Sequence, residues 1–273
     1  MPAPAPADLL DRYDCFLFDL DGVLYRGDEP NPEAPEAVEA IRAAGRPVVF
    51  ITNNSSRTPE DVAAALVAMG IDARPEEIMT SALATAEHLR DRAGERAFVV
   101  GERGVREALA DAGLFVIDGD PDAVELVVVG LDRTADYNRL KRACLLVERG
   151  AALVATNPDR TFPAPDGLWP GAGALLAAIV AATGSDAMVV GKPHAPLFEA
   201  ARKLAAGDTP LVIGDRLDTD IAGAAALGWD SLLVLTGVSR EEDLATSEVR
   251  PTYVAPDLGL LSGLAALRYQ GLR

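Results

Sequence analysis

Short apolar runs alternate with helical patterns along almost the whole chain, and this alternation restricts the fold more than any other feature. Cys15 to Asp19, Pro47 to Thr52, Met188 to Val190, Leu211 to Gly214 and Ser231 to Leu235 are apolar and rich in β-branched residues, as strands buried on both faces are. Between them lie helical patterns over 35–44, 59–69, 196–206 and 221–227. Three open at a proline (Pro35, Pro59, Pro196) and all four stop at a glycine (Gly45, Gly70, Gly207, Gly228), the usual asymmetry of helix ends. Strands and helices taking turns in this way predict an α/β fold with one doubly wound parallel sheet.

The middle of the chain repeats the alternation with elements of its own. Strands are expected at Ala97 to Val100, Leu126 to Val129 and Leu153 to Thr156, with helices near Val105 to Ala112 and Tyr137 to Glu148. That is enough for a second, smaller core, so 1–80 and 185–273 are read as one domain and 81–184 as a domain inserted into it. Met1 to Asp11 has no basic start and no long apolar stretch, and is read as a short flexible lead-in rather than a secretory signal. The longest uncharged stretch, Gly167 to Ser185, is interrupted by Pro170, Gly171, Gly173 and Gly184, leaving too little helix to cross a bilayer.

Charge narrows the partners. The chain of 273 residues carries 42 acidic and 25 basic side chains, a net charge of -17, which argues against nucleic-acid binding through phosphate neutralisation. The two cysteines, Cys15 and Cys144, form no CxxC pair, so neither a disulfide framework nor a thiolate metal site is expected, and a cytoplasmic setting fits. Lys141, Lys192 and Lys203 are the only lysines against a background of arginines, so each of them stands out.

Four polar clusters each follow an expected strand. Asp19-Leu20-Asp21-Gly22 places two carboxylates where a buried strand ends, the usual location of a site in an open α/β sheet. An Asx turn would use the same residues, but two close carboxylates that stay ionised need a cation or donors nearby. Thr52-Asn53-Asn54-Ser55-Ser56 offers hydroxyls, amides and backbone N–H groups, suited either to a phosphate or to ordinary helix capping. Gly191-Lys192-Pro193-His194 lacks the spacing and the Ser or Thr of a nucleotide P-loop, and its lysine follows a buried strand. Gly214-Asp215-Arg216-Leu217-Asp218-Thr219-Asp220 holds three carboxylates in six residues. Capping accounts for one of them, and clustered oxygen ligands suit Mg²⁺. Brought to one sheet edge, the clusters would supply the charge neutralisation and positioning that phosphoryl transfer requires. No G-x-S-x-G, H-E-x-x-H or G-x-G-x-x-G pattern occurs, and His88 and His194 offer little for histidine chemistry.

At these residues the sequence resembles the haloacid dehalogenase superfamily of phosphatases, and within it subclass IIA, the NagD-like and p-nitrophenyl-phosphatase-like enzymes. The likeness rests on Asp19-Leu20-Asp21, Thr52-Asn53-Asn54-Ser55, Thr156-Asn157-Pro158-Asp159, Pro170-Gly171-Ala172-Gly173, Gly191-Lys192-Pro193 and Gly214-Asp215 through Asp220. It implies a Rossmann-like core with an inserted α/β cap. It also implies an aspartyl-phosphate on Asp19, with Asp21 as general acid and base. Mg²⁺ would be held by Asp19, the Asp21 main-chain carbonyl and Asp215, with Asp220 orienting them, and Thr52, Asn53, Asn54 and Lys192 would bind phosphate. The substrate would be a small phosphorylated metabolite selected by the cap, with the loop Asp159 to Pro163, chiefly Arg160 and Phe162, as the expected contact and Arg133 a lesser candidate. Glycerol 3-phosphate is the first expectation, phosphoglycolate the next, and nucleotide or sugar phosphates remain alternatives. Family caps often make dimer contacts, so a homodimer through the cap is expected. Two readings of another class stand beside these: a phospho-signalling receiver, which needs only one small domain, and an inactive binding module.

Overall fold

In the computed structural model, residues 3–4, 8–164 and 166–262 are described, with side chains from Asp8 onward. The chain forms two compact units. One takes residues up to Ile51, Val62–Ile78 and the chain from Phe198 onward; the other takes Thr52–Asp61 and Met79–Leu197.

The larger sheet has seven strands in the order Ala3–Pro4, Tyr253–Ala255, Asp230–Val234, Pro210–Gly214, Cys15–Asp19, Val48–Thr52 and Ile78–Thr80. From the first of these to Val48–Thr52, neighbouring strands run parallel. All five residues of Cys15–Asp19 and of Pro210–Gly214 are buried, which is why both strands read as unbroken apolar runs. Phe16, Phe18, Phe50, Ile213 and Leu232 pack with Val38, Ile41, Val62 and Leu66 in one apolar cluster. The chain leaves Cys15–Asp19 toward Val48 on one side and later returns on its other side at Pro210, so the sheet reverses its order at the carboxyl end of Cys15–Asp19.

The second unit has a sheet of five parallel strands in the order Met188–Val189, Ala152–Ala155, Leu126–Val129, Arg96–Val100 and Phe115–Ile117. Phe98, Val127, Val129 and Leu153 pack with Leu146 of the helix Tyr137–Glu148 and Ile179 of the helix Ala172–Thr183. The uncharged stretch contributes that 12-residue helix, and among the described residues no helix is long and apolar enough to cross a membrane.

Three details differ from the sequence reading. Met188–Val189 was expected in the core sheet, yet it pairs with Val154 and Ala155 as the edge of the second sheet, which carries 185–197 into the second unit. An apolar run has the strand period whichever sheet receives it. In the lead-in, Ala3–Pro4 pairs with Tyr253–Val254, and Leu9–Arg12 forms a helical turn with Leu9 buried, so this segment is tied down where it is described; 1, 2 and 5–7 lie outside the described residues. The loop expected at Asp159 to Pro163 runs into an antiparallel hairpin, Thr161–Ala164 with Gly167–Pro170, whose prolines at 163 and 170 had masked its strand pattern.

Candidate active site

In the first unit, Asp19 closes the strand Cys15–Asp19 and Asp215 follows the strand Pro210–Gly214. Beyond Asp215 the backbone makes a π-helical turn over Leu217–Ile221, with the Ile221 N–H bonded to the Arg216 carbonyl at 3.2 Å. This turn separates the acids of the motif. Asp220 is fully buried and accepts from the Arg216 N–H at 3.2 Å and the Thr219 hydroxyl at 3.3 Å, whereas Asp218 is exposed and pairs with the Arg216 guanidinium at 2.8 Å. Carboxylate oxygens of Asp19, Asp215 and Asp220 lie within 4.8 Å of one another, and all three residues are buried.

The walls around this cluster are glycines. A Cβ on Gly22, whose φ is +89°, would stand 2.5 Å from Asp215 Oδ2, and one on Gly214 or Gly237 would overlap Asp220 or Asp215. The segment 237–239 braces Asp215: Val238 N–H donates to its Oδ2 at 2.6 Å and Ser239 N–H to its carbonyl at 3.0 Å. In the sequence, neither Gly-Val-Ser nor any spacing marks these residues as neighbours of an aspartate 23 positions before Val238. Asp21 is exposed and its side chain is not in the buried trio. Its loop is held by Gly22 N–H to the Tyr25 carbonyl at 2.7 Å, by Asn31 Nδ2 to the Val23 carbonyl at 2.6 Å and by the Thr236 hydroxyl to the Gly22 carbonyl at 2.7 Å.

The second unit contains the remaining motif residues. Thr52 is buried and its hydroxyl oxygen accepts from the Asn54 N–H at 3.1 Å; Asn54 Oδ1 closes a turn by accepting from the Ser56 N–H at 2.9 Å. Ser55 Oγ accepts from Leu131 N–H at 3.1 Å, so this serine ties the segment to the five-stranded sheet. Lys192 is 3% exposed and joined to proline by a cis peptide bond. Its backbone is gripped by Asn53: Lys192 N–H donates to Asn53 Oδ1 at 2.8 Å, and Asn53 Nδ2 donates to the Lys192 carbonyl at 3.1 Å. The same Nδ2 donates to Asp159 Oδ2 at 3.0 Å, and Asn157 Nδ2 donates to the Asn53 carbonyl at 2.7 Å.

Of the residues expected to choose the substrate, Arg160 is exposed at the base of the hairpin, and Phe162 sits half-buried against Trp169, edge-to-face at 6.0 Å. Arg133 is engaged elsewhere, donating to both oxygens of Glu102 at 2.8 and 2.7 Å; that pairing holds the Glu102 carboxyl below its ordinary range. A cavity of about 490 Å³ lined by Gly101, Glu102, Arg106, Asp132 and Arg133 opens at the carboxyl ends of Arg96–Val100 and Leu126–Val129, where the second sheet reverses its strand order.

Comparison with known proteins places this geometry among relatives. A haloacid dehalogenase-like hydrolase model matches residues 16–115, and a second model of HAD-hydrolase-like proteins matches 189–261. The chain is 39% identical over 252 residues to an acid sugar phosphatase of Staphylococcus aureus, covering 91% of this chain and 96% of that protein. It is 37% identical over 252 residues to the 5'-nucleotidase YutF of Bacillus subtilis, covering 91% and 97%. The crystal structure of a glycerol phosphate phosphatase from Mycobacterium tuberculosis in complex with magnesium aligns with a TM-score of 0.87 at 39% identity, covering 92% of this chain and 77% of that one.

Proposed function

Because the chain belongs to the haloacid dehalogenase-like hydrolase family, we propose that it is a Mg²⁺-dependent phosphatase that hydrolyses a small phosphomonoester through an aspartyl-phosphate on Asp19. The observation that carries this reading is the convergence of Asp19, Asp215 and Asp220. Three buried carboxylates within 4.8 Å repel one another strongly unless a cation lies among them, and an all-oxygen donor set is what Mg²⁺ favours. The residues present therefore fit the ion: Asp19 and Asp215 would hold it together with the main-chain carbonyl of Asp21, and Asp220 would orient them or add a carboxylate of its own. When bound, Mg²⁺ neutralises charge on the nucleophile and on the phosphoryl oxygens.

The rest of the chemistry belongs to the side chains. A carboxylate oxygen of Asp19 attacks phosphorus, the bond from phosphorus to the leaving oxygen breaks, and the Asp21 carboxyl delivers a proton to the departing alkoxide. Asp21, now a carboxylate, takes a proton from the water that attacks the aspartyl-phosphate, releasing phosphate and restoring Asp19. Asp21 suits this exchange because it is exposed, so it can trade protons with solvent, while Asp19 is buried. Thr52 and Lys192 bind phosphoryl oxygens, Lys192 as a fixed positive charge.

Glycerol 3-phosphate is the substrate we place first. The magnesium complex of the glycerol phosphate phosphatase supports it, while the relatives named for sugar phosphates and nucleotides keep those classes, with phosphoglycolate, in the panel. The receiver and inactive-module readings lose ground to family membership and to intact acidic motifs. The acidic balance supports the absence of a nucleic-acid partner, and a cytoplasmic homodimer joined through the cap completes the reading. Turnover of p-nitrophenyl phosphate tests the core of it: activity disappears with EDTA and in Asp19→Asn, and survival of activity under both treatments overturns it. Ranking kcat/KM over the four substrate classes settles the substrate, and a nucleotide far ahead displaces glycerol 3-phosphate.

A further inference from the structure

The side chain of Asn53 has no hydrogen-bond donor left for a phosphate. A carboxamide has two N–H donors and one oxygen acceptor. Asn53 Nδ2 spends both donors, one on the Lys192 carbonyl at 3.1 Å and one on Asp159 Oδ2 at 3.0 Å, and Oδ1 accepts the Lys192 N–H at 2.8 Å. The orientation is fixed by the partners, because a flipped amide would set an NH₂ group against the Lys192 N–H and its oxygen against both a carbonyl and a carboxylate. The fit leaves no slack: a Cβ at Gly191 would stand 2.6 Å from Asn53 Oδ1. The Asn53 backbone is held as firmly, its carbonyl accepting from the Ser81 hydroxyl at 2.6 Å and from Asn157 Nδ2 at 2.7 Å.

We infer that Asn53 is a positioning residue which clamps the Lys192 peptide and ties it to Asp159, so that the placement of the lysine depends on the polarity of the Asn53–Asp159 pair. The inference rests on the reading of Lys192 as a phosphate-binding group. Lys192 has a long, flexible stem, and fixing its main chain on both sides of the α-carbon is the economical way to localise its ammonium. Asp159 opens the segment that leads to Arg160 and Phe162, and its carbonyl accepts from Gly173 N–H at 2.8 Å at the start of the helix Ala172–Thr183. Movement of that segment is therefore transmitted to the Lys192 peptide through the Asn53 carboxamide.

The test is a double-mutant cycle on the full chain with Mg²⁺ present. It is read in kcat and KM for p-nitrophenyl phosphate and in the Kd of inorganic phosphate from ³¹P NMR titration. Lys192→Ala is expected to weaken phosphate binding and to lower turnover by roughly 10²-fold or more; unchanged turnover overturns the phosphatase role of Lys192 and the inference with it. Asn53→Ala is expected to lower kcat by about 30- to 100-fold, the scale of a displacement near 1 Å. In the Lys192→Ala background the same substitution is expected to weaken phosphate binding by less than about 2-fold, because a residue acting through the lysine has nothing left to position. Equal losses in both backgrounds would show an independent phosphate contact and overturn the clamp, as would full activity of Asn53→Ala beside a crippled Lys192→Ala. The latter result leaves the phosphatase reading standing. A second arm guards against simple misfolding. Asn53→Asp sets a carboxylate against Asp159, and adding Asp159→Asn returns a donor between them. The double variant is expected to recover at least about 5-fold in kcat over Asn53→Asp, and no recovery overturns the role given to Asp159.

Discussion

The two parallel sheets follow the same topological rule and use their carboxyl ends in opposite ways. Each reverses its strand order beside one strand, Cys15–Asp19 in the first and Arg96–Val100 in the second, and each gathers acidic residues there. In the first sheet acid converges on acid: Asp19, Asp215 and Asp220 are buried with oxygens within 4.8 Å. At the edge of the second sheet acid meets arginine. Glu102 takes two hydrogen bonds from Arg133, Asp132 faces Arg139 at 3.5 Å, and Asp118 takes both of its contacts from Arg106 at 2.7 and 2.6 Å. The fold supplies the crevice in both cases, but only the first gathers its carboxylates into the all-oxygen donor set that suits a divalent cation. Matched ion pairs at a half-exposed edge are finished as they stand, and each is worth little.

The largest effect expected from this contrast is on metal-linked stability. Saturating Mg²⁺ at about one hundred times its Kd raises folding stability by roughly 2.7 kcal/mol, which for a chain of this size moves Tm by about 5–10 °C. Asp215→Asn removes a converging carboxylate, and both that shift and turnover should fall away, turnover by roughly 10²-fold or more. The corresponding change in the second sheet, Glu102→Gln, leaves the Mg²⁺ shift intact. Thermal scans with and without Mg²⁺ decide the matter, and a full metal shift in Asp215→Asn breaks the comparison.

Packing should separate the regions at intermediate size. Gly237→Ala drives a methyl into the Asp215 carboxylate, and Gly104→Ala drives one into the Arg57 carbonyl and to 2.7 Å from the Ser55 carbonyl. Both overpack, with a cost of about 1–3 kcal/mol each. Only the first also displaces a carboxylate proposed to hold the metal, so its Mg²⁺ concentration for half-maximal activity is expected to rise. In Gly104→Ala, Tm falls while that concentration stays put. Identical metal dependence in both variants would show that the 237–239 segment does nothing for Asp215.

The contrast also explains what the sequence could disclose. Asp19, Asp215 and Asp220 were legible because each follows a buried strand in contiguous motifs, and the rule that sites gather at carboxyl ends does the rest. The separation of Asp218 from that group was not legible, since a π-helical turn rather than a regular helix decides which acid points inward. The hydrogen bonds of the Asn53 side chain were hidden for a different reason. An amide has the same donors whether they meet phosphate or the backbone of residue 192, and nothing local records a partner 139 residues away. Met188–Val189 was assigned to the wrong sheet because the strand period says that a segment pairs, and not with what. The second unit's acids gave no signal at all, because charges spread along helices and loops look like an ordinary solvated surface until their arginines are seen.

The smallest effect concerns one of those pairs and fixes its sign. Arg133 lowers the folded pKa of Glu102 below 4.5, chiefly by side-chain hydrogen bonds and in spite of partial burial. A depressed carboxyl stabilises the fold in full above its unfolded pKa, and the contribution fades as pH falls through the folded value. With the Arg133 side chain 53% exposed, solvent screening reduces the gain to about 0.5 kcal/mol. Glu102→Gln should therefore lower stability by that amount at pH 7 and by less at pH 3, because the contribution fades as Glu102 takes up a proton. Urea titrations at the two pH values measure it, and raising the salt to 1 M should shrink the pH 7 difference as exposed charges are screened. A loss of several kcal/mol at pH 7 would mean that this ion pair is no passive surface contact. The edge of the second sheet would then hold a strained, interdependent charge network, and the division between a carboxylate cluster and an edge of passive ion pairs would fail.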